Sequence, residues 1–563
     1  MTQFKNIGVA LPWFAFLATS VAEPVAPQLK NAHIVEEHSS RERLKEVQKN
    51  LPQAKAPKGD KLKEAIVKYN SPRQEHETTK FKLRAVEFTP KSSLLSQERL
   101  DQLASKYLNR DITFNDVQRL RIDIINEYQQ SGYILSTVNI PAQKLFNNTL
   151  TLELLESKIK RINFSGNEYL PDDYFDRHVG KYREEYFNVR DLERDLLRFN
   201  RTSKANMVAK SKASDEYGYS DLVFDVYEPD RWNIRFGSDN YGTRRTGDWR
   251  LHASLAAYDV STGVDDNLVL GTTQAEGSNS WYGIYERPLN SRGTRASLTY
   301  TLGKTNVRSG SEEDLDIEGT SESLAIKIEH LLYCSQKASL HANIGYRYSD
   351  SESFFVGDFL DDTRSETAFI GLSADSTDDH GSWRGEMTLS AGNSRRFDEA
   401  DQGYTTLQLY LERLHRLGDH WTAKAVMNGQ ISDDTRLPAS ESFFLGGQYT
   451  VRGFEEGTAL GADGWNVNLE LSTAPFQWFE LAENHTLNNI ALTLFVDHGT
   501  VYTDKGGGIG IDSDAFTSCG VSLLYEPIPA LVLSLTYAKP IDIDHEFHRE
   551  KNWTSSISYT LSF

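Results

Sequence analysis

The last eleven residues of the chain, Trp553-Thr-Ser-Ser-Ile-Ser-Tyr-Thr-Leu-Ser-Phe563, alternate between apolar and small polar side chains. The large apolar members fall on one face: Trp553, Ile557, Tyr559, Leu561 and Phe563. Successive side chains of a β-strand point to opposite faces, so the segment predicts a strand with one apolar and one polar face. About ten residues of this kind cross a bilayer as a tilted strand, which makes the segment a candidate transmembrane strand.

The same two-residue period continues through the second half of the chain, after Arg231. We predict sixteen segments, beginning near residues 231, 247, 266, 279, 293, 319, 337, 363, 381, 405, 420, 461, 490, 515, 531 and 551. In the twelfth segment the polar face carries Asn466, Asn468 and Glu470. Sixteen strands enclose a lumen wide enough for an aqueous channel, so residues 231–563 predict a 16-stranded antiparallel transmembrane β-barrel.

A soluble β-sandwich or barrel is the alternative, and its apolar face would point inward. Three features favour the membrane: the number of strands is even, aromatic residues recur at segment ends, and the loops mostly alternate between short and long. Backbone polar groups in lipid must also be paired, which a closed barrel achieves and an open sheet does not.

Composition argues against several classes of function. The formal net charge of −19 disfavours a nucleic-acid partner. Cys334 and Cys519 are too few for a disulfide framework or a multi-cysteine zinc site. The sequence has no phosphate-binding glycine loop, HExxH or GxSxG motif, so we predict no catalytic site, no cofactor and no enzyme activity. A solvated loop, rather than a metal site, is the preferred interpretation of the cluster His545, Glu546, His548 and Glu550.

The N-terminus has the pattern of an export signal. Lys5 precedes a short apolar core at residues 7–18, and Ser20-Val21-Ala22 supplies small residues for cleavage. We therefore predict a signal peptide at residues 1–22.

Residues 23–80 are rich in Lys, Glu and Pro, which is typical of a linker with local helix. One helix is clearly indicated, because Ser39-Ser40-Arg41-Glu42 has capping-box spacing and Pro52 ends the pattern. Its apolar stripe consists of Leu44, Val47 and Leu51.

Between residues 81 and 230 one order of elements, β-α-α-β-β, occurs twice. In residues 81–159, Ser96 and Thr113 are the predicted helix N-caps, and Gly132 ends the second helix. Residues 160–230 repeat the order, and Asn188 opens the second helix there. Two copies of a unit of about seventy residues predict a tandem repeat.

The longest predicted external loop, residues 433–460, is rich in glycine and contains Val451-Arg452-Gly453-Phe454. Alternation in the thirteenth strand places Phe495, Asp497 and Gly499 on the face toward the lumen. A carboxylate in a barrel wall requires a cation, and an arginine on a loop folded into the lumen can bind it bidentately. Arg452 is therefore a candidate partner for Asp497.

Taken together, these features resemble the outer-membrane transporters of two-partner secretion. This is the haemolysin secretion/activation and filamentous-haemagglutinin exporter family of the Omp85 superfamily. The resemblance covers residues 33–563 and rests on the tandem units, the sixteen strands, the Val-Arg-Gly-Phe and Phe-x-Asp-x-Gly motifs, Pro141-x-Gln143 and the terminal Phe563. The second unit departs from the family at Asn200-Arg201-Thr202, where an apolar residue and proline are usual.

The resemblance implies two periplasmic POTRA domains, at residues 81–159 and 160–230, followed by a barrel in the outer membrane. It implies that the POTRA domains recognise an unfolded exoprotein, which crosses the barrel and folds outside without nucleotide hydrolysis. The implied partner is a large haemolysin, adhesin or contact-dependent toxin.

The resemblance also assigns roles to segments. The helix with Leu44, Val47 and Leu51 is the candidate pore plug, and the Val451–Phe454 loop is the candidate gate, with Phe495, Asp497 and Gly499 as its partner motif. A C-terminal assembly signal is expected at Tyr559, Leu561 and Phe563. The barrel assembly machinery, periplasmic chaperones and outer-membrane lipid are the further expected partners.

Two other functions are compatible with parts of this pattern. An Omp85 insertase, which assembles other barrels, shares the loop and strand motifs but usually has more POTRA units and no plug helix. A passive porin accounts for the barrel but leaves the tandem units unexplained.

Overall fold

The computed structural model describes residues 80–563, apart from 307–316, 356–357, 397–399, 435, 478–488, 505–510 and 542–549. The predicted signal peptide, the predicted helix around residues 39–51 and most of the 545–550 cluster lie outside the described residues. The described residues form two compact units: one holds those up to Pro229 with Thr262–Val264, and the other holds the rest, from Asp230 to Phe563. Among them, no helix has the length and apolar character needed to cross a membrane.

The first unit contains two small α/β domains in tandem. The elements of the first domain are β1 (Phe81–Lys82), β2 (Ala85–Thr89), α1 (Gln97–Ser105), β3 (Asp111–Ile112), α2 (Phe114–Gln130), β4 (Thr137–Asn139) and β5 (Thr149–Leu155). Strand β5 lies between β2, which is parallel to it, and β4, which is antiparallel. Alternate residues of β5, Leu150, Leu152 and Leu154, are buried with the apolar stripes of α1 and α2 in one core.

The predicted helix caps of this domain are confirmed. The Ser96 side chain accepts a hydrogen bond from the Arg99 backbone N–H, and Asp116 closes a capping box with Thr113. Gly132 follows α2 with a φ of 92°, a conformation that favours glycine.

Two predicted strands of the first domain are shorter than expected. The strand near residues 81–88 divides into β1 and β2, because the backbone changes hydrogen-bond partners between Leu83 and Arg84. The strand predicted for Tyr133–Ile140 is limited to β4, because a turn joins the Ser136 N–H to the Tyr133 carbonyl.

The second domain repeats this arrangement. Its elements are β6 (Lys158–Ser165), α3 (Asp172–Val179), α4 (Val189–Thr202), β7 (Asn206–Ala213) and β8 (Tyr219–Tyr227), with β8 between β6 and β7. Strand β6 begins two residues before the predicted boundary at 160. Asn188 is the N-cap of α4, as predicted, and accepts a hydrogen bond from the Arg190 backbone N–H.

Two side-chain amides replace backbone partners in these domains. Gln143 donates to the Thr151 carbonyl (2.7 Å) and accepts from the Thr151 N–H (2.8 Å), so it extends the pairing of β5 beyond β4. Asn200 forms the same two bonds with Met207, at 3.0 and 2.8 Å. The residue that departs from the family pattern therefore ties the last turn of α4 to β7.

A helix-to-helix junction joins the two domains within this unit. The last carbonyls of α2 and the turn after it accept hydrogen bonds from residues at the start of α4, including Val189 N–H to Gly132 O at 2.9 Å and Asn188 Nδ2 to Ser131 O at 3.2 Å. The negative end of one helix dipole thus faces the positive end of the other, which is a favourable arrangement.

In the second unit, the described residues form sixteen antiparallel strands closed into a barrel. The strands are β9 (Trp232–Asp239), β10 (Arg250–Tyr258), β11 (Asn267–Gln274), β12 (Ser278–Pro288), β13 (Thr294–Asn306), β14 (Ile317–Cys334), β15 (Ala338–Phe355), β16 (Asp358–Asp378), β17 (Gly381–Arg396), β18 (Gln402–Leu417), β19 (Trp421–Ser432), β23 (Asp463–Thr473, continued by β24, Phe476–Gln477), β25 (Asn489–Asp504), β26 (Ile511–Ile528), β27 (Leu531–Pro540) and β29 (Trp553–Ser562). The labels β20 to β22 and β28 belong to four short strands that are not part of the barrel wall and are described below. The largest departure from a predicted start is at β16, which begins at Asp358 rather than near 363.

The barrel closes between its first and last strands, β9 and β29. The backbones of Trp232 and Phe563 exchange two hydrogen bonds, of 2.9 and 3.0 Å, at the end of this seam. Tyr559, Leu561 and Phe563 are exposed on the outer face.

The two faces of the wall confirm the predicted alternation. On β25, Leu494 and Val496 are exposed outward, whereas Phe495 and Asp497 are buried inward. A soluble barrel would bury its apolar face, so this arrangement fits a lipid-embedded wall around a polar interior.

Candidate functional site: a loop held inside the barrel lumen

The loop between β19 and β23 lies inside the barrel. From Leu437 to Ala462 most of its residues are buried and none is exposed, and it contains three short strands, β20 (Phe443–Leu445), β21 (Gly453–Phe454) and β22 (Ala459–Gly461). Strand β20 pairs with β22, and β21 pairs with β28 (Glu550–Lys551). The loop bonds to inward-facing side chains of β10, β15, β25 and β29, which lie on different sides of the barrel. The loop predicted as external therefore occupies the lumen.

Paired glycines shape the first turn of this loop. Gly446 and Gly447 have φ values of 102° and 109°, which side chains with a Cβ rarely adopt. The Gly446 N–H donates to the Thr450 hydroxyl at 2.8 Å, and this contact closes the turn that presents Val451 and Arg452 to the wall.

Arg452 forms a bidentate ion pair with Asp497 on β25. Its Nε and Nη2 each lie 2.7 Å from a different carboxylate oxygen, and its backbone N–H donates to Oδ2 at 3.1 Å. Both side chains are almost completely buried. The pairing predicted from the two motifs is therefore present in the structure.

The arginine also has a second carboxylate partner that the motifs did not indicate. Its Nη1 lies 2.9 Å from Glu470 on β23, and Lys424 on β19 lies 3.1 Å from the same carboxylate. Asn468 donates to Asp497 at 2.8 Å and also to the Thr450 carbonyl. Two buried cations thus face two buried anions, so the cluster carries no formal net charge.

The other residues of the Phe-x-Asp-x-Gly motif also serve the loop. The centre of the Phe495 ring lies 3.5 Å from the guanidinium carbon of Arg452, which is a cation–π contact. A Cβ on Gly499 would lie 2.5 Å from a methyl carbon of Leu445 in the loop, so the glycine allows β20 to approach the wall. Phe495 therefore stacks on Arg452 of the loop, Asp497 pairs with it, and Gly499 leaves space for β20.

An apolar cluster surrounds the tip of the loop. Val451 and Phe454 are buried with residues of β20 and β22 and with Val501 and Phe516 of the wall. The rings of Phe454 and Phe516 lie 4.7 Å apart. Gly453, with a φ of 95°, packs against Ala538 and Pro540 of β27. The Val-Arg-Gly-Phe motif therefore places one charged side chain, that of Arg452, next to nonpolar contacts between the loop and the wall.

A second ion pair holds the base of the loop. Glu441 accepts two hydrogen bonds from Arg347 on β15, at 3.0 and 2.6 Å, and a third from Thr367 at 3.2 Å. Tyr404 is hydrogen-bonded to Thr367 at 2.7 Å. No sequence motif pointed to this contact.

A third group of charges follows the tip. Glu456 accepts from Arg250 on β10 at 2.7 Å, and Arg250 also binds Asp239 at 2.8 Å. The adjacent Glu455 lies 3.2 Å from Arg244. The loop is thus attached by ionic contacts before, at and after its tip.

One sequence signal was available for part of this network. Alternation had placed Asn468 and Glu470 on the lumen face of the twelfth strand, although their partners were not identified. Within the described part of the chain, no group of His, Cys, Asp and Glu side chains is arranged to hold a metal ion. Cys334 and Cys519 are not joined by a disulfide.

Comparison with known proteins gives the class and then the family. Residues 81–157 match the POTRA domain of ShlB type, so the fold is a POTRA-bearing outer-membrane barrel, with its POTRA domains in the periplasm. Residues 218–521 match the family described as haemolysin secretion/activation protein ShlB/FhaC/HecB. The chain belongs to this family, which comprises transporters of two-partner secretion in the Omp85 superfamily.

Individual relatives agree with this assignment. The outer membrane transporter CdiB of Dickeya dadantii is 24% identical over 77% of this chain and 80% of its own length. The heme/hemopexin transporter protein HuxB of Haemophilus influenzae (Rd) is 21% identical over 85% of this chain and 87% of its own length. The fold is similar to that of CdiB from Escherichia coli, with a TM-score of 0.65 and 15% identity, covering 96% of this chain and 100% of that one.

Proposed function

We propose that this protein secretes one large partner protein to the cell surface. In this mechanism the POTRA domains recognise the unfolded exoprotein in the periplasm, and the barrel conducts it outward without nucleotide hydrolysis, as in type Vb secretion. The observation that carries the proposal is the loop at residues 433–462, which occupies the lumen and is attached by Arg452 to Asp497. A loop attached across the lumen fits a polypeptide transporter, which must remain closed between transport events, and the family match favours secretion over an insertase.

The Arg452 cluster is proposed as the lock of the gate. An extended chain cannot pass while the loop crosses the lumen, so the loop must shift during transport. Leaving the wall exposes Arg452, Asp497 and Glu470 to water, and hydration then replaces part of the lost Coulomb attraction. Hydration of these charges in the open state therefore offsets part of the free energy that is lost when the ion pairs of the closed state are broken.

Recognition of the exoprotein is proposed to occur by strand addition to the POTRA sheets. In the second domain β7, at residues Asn206–Ala213, is an edge strand of eight residues. An extended peptide can add to such an edge through backbone hydrogen bonds, with side-chain pockets supplying specificity. Because the cargo arrives unfolded, its backbone donors and acceptors are free to pair with this edge.

The names of two relatives bear on the class of cargo. CdiB is an outer membrane transporter, and HuxB is named for heme/hemopexin transport. Because hemopexin is a protein, the name of HuxB supports a large exoprotein as the cargo here. Folding of that exoprotein outside the membrane would give the transport its direction.

The C-terminal residues Tyr559, Leu561 and Phe563 are proposed as the signal for the barrel assembly machinery, after escort by periplasmic chaperones. Supporting this, Tyr559 and Leu561 are exposed on the outer face of β29, and Phe563, directly after this strand, is exposed as well.

Deletion of the gene tests the proposed function against the insertase alternative. We expect surface delivery of one cognate exoprotein to stop while the other outer-membrane porins keep their normal abundance, measured by quantitative proteomics of outer-membrane and surface fractions. Complementation with the wild-type gene is the control. A broad decrease of other barrels would show an insertase instead.

Residues 23–80 are proposed to supply a plug for the resting pore, through the predicted helix with Leu44, Val47 and Leu51. Deleting residues 23–51 should raise the ion conductance of the purified protein in planar bilayers, because the obstruction is removed. A deletion of equal length, residues 52–80, keeps the predicted helix and is the control. Unchanged conductance after the first deletion would assign this segment to a spacer.

A further inference from the structure

A groove lies on the outer face of the barrel, across β18, β19, β23 and β25. Strand pairing aligns two rows of outward-facing residues there: His415, Ala423, Leu471 and Leu494, and next to it Arg413, Ala425, Leu469 and Val496. In each row one alanine of β19 stands between larger neighbours. The resulting depression has a volume of about 390 Å³, a size typical of small-ligand sites.

The groove lies near the periplasmic end of the strands. Ala423 and Ala425 are the third and fifth residues of β19, which follows the short turn after β18. Trp383 and Trp421 are exposed on the outer face at the same level, as expected of an aromatic girdle at a membrane interface. The leaflet at this level is the periplasmic one, which consists of glycerophospholipids.

Arg413 and His415 line one end of the groove, and Asp378 is bonded to Arg413 there. Arg413 is paired with Asp378 at 2.6 and 3.2 Å, lies 5.0 Å from the centre of the Trp383 ring, and donates to His415 Nδ1 at 2.8 Å. Arginine only donates hydrogen bonds, so Nδ1 of His415 is the acceptor and its Nε2 carries the proton. A cation, a neutral N–H donor and a carboxylate are therefore adjacent at the membrane surface.

We propose that this groove binds phosphatidylethanolamine, which goes beyond the secretion function. The lipid phosphate is bound by Arg413 and His415, the ammonium group lies at Asp378, and one acyl chain covers Ala423 and Ala425. Guanidinium and N–H donors match a phosphate, while the carboxylate selects the ammonium group and repels a headgroup with only negative charge. The alternation of large and small side chains gives the acyl chain a fixed path.

Native mass spectrometry of the delipidated full-length protein tests this proposal. The probes are phosphatidylethanolamine and phosphatidylglycerol with identical acyl chains. The wild-type protein should bind the first lipid more tightly. Ala425→Leu fills the groove and should weaken that binding by about tenfold, the effect of losing contacts worth roughly two buried methylenes.

Ala374→Leu is the matched control, because Ala374 is an exposed outward-facing alanine of β16 outside the groove. It should bind like the wild type. Asp378→Asn leaves the groove intact and should abolish the preference between the two lipids. Equal binding by Ala425→Leu and Ala374→Leu, or an unchanged preference in Asp378→Asn, would overturn the proposal.

Discussion

The tip and the base of the lumen loop are both attached by bidentate arginine–carboxylate pairs, but the two attachments are built in opposite ways. At the tip the loop supplies the arginine, Arg452, and the wall supplies Asp497; at the base the wall supplies Arg347 and the loop supplies Glu441. The tip pair is dry, with side chains 7% and 0% exposed. At the base Arg347 is 24% exposed, although Glu441 is only 1% exposed.

This difference teaches how the two ends should respond to opening. Removing one partner of a dry pair leaves a charge that neither water nor another side chain can fully compensate. At the base, water reaches Arg347 and can solvate its charge when Glu441 is removed. The tip pair should therefore be either fully formed or fully broken, and we call it the lock. The base pair should weaken gradually while the loop moves around it, and we call it the pivot.

The largest expected effect is at the tip. Arg452→Ala and Asp497→Ala should each abolish or sharply reduce secretion, since breaking a buried pair typically costs about 3–5 kcal/mol. Secretion of the exoprotein is the measurement, with barrel insertion checked by heat-dependent migration on gels. Arg436→Ala removes an exposed arginine of the same loop and should retain wild-type secretion.

A double-mutant cycle sharpens this test. If Arg452 and Asp497 act as one unit, the double variant should lose no more than either single variant. Losses that add on the free-energy scale would contradict the lock, since independent residues behave in that way.

An intermediate effect is expected at the base. Glu441→Gln keeps the shape and one acceptor for Arg347 but removes the charge. We expect a coupling of roughly 1–2 kcal/mol between residues 441 and 347, between the values for exposed and buried pairs. The open fraction of single channels in planar bilayers, measured for Glu441→Gln, Arg347→Gln and the double variant, gives this number. A coupling of about 3–5 kcal/mol, the value expected of a buried pair, would remove the distinction between the tip and the base.

The sequence predicted the parts of this structure that depend on local rules. The two-residue period identified the strands and placed Asp497 and Glu470 on the lumen face, because side-chain direction in a strand depends only on position along it. Helix caps at Ser96, Thr113 and Asn188 were equally local.

The path of the lumen loop was not predictable in the same way. The contact between Arg347 and Glu441 joins residues 94 positions apart across the lumen, and it exists only because the loop folds inward. The pairing of Arg452 with Asp497 was predicted because resemblance linked their motifs. Where no motif existed, as at Glu441 and Glu456, alternation gave no information about which loop residue faces which strand.

The smallest expected effect is at the outer edge of the same network. Arg244, 63% exposed, contacts Glu455, while six residues later Arg250, 1% exposed, binds Glu456 and Asp239. Arg244→Ala should change secretion by less than about fivefold, because an exposed pair contributes under about 1 kcal/mol. Arg250→Ala, its buried counterpart, should cause a larger loss because Glu456 and Asp239 are then left with one cation fewer. Secretion assays of both variants at equal barrel abundance decide the matter. If the two variants lose secretion equally, burial does not determine the strength of these ion pairs. The contrast between the tip and the base of the loop must then have another origin.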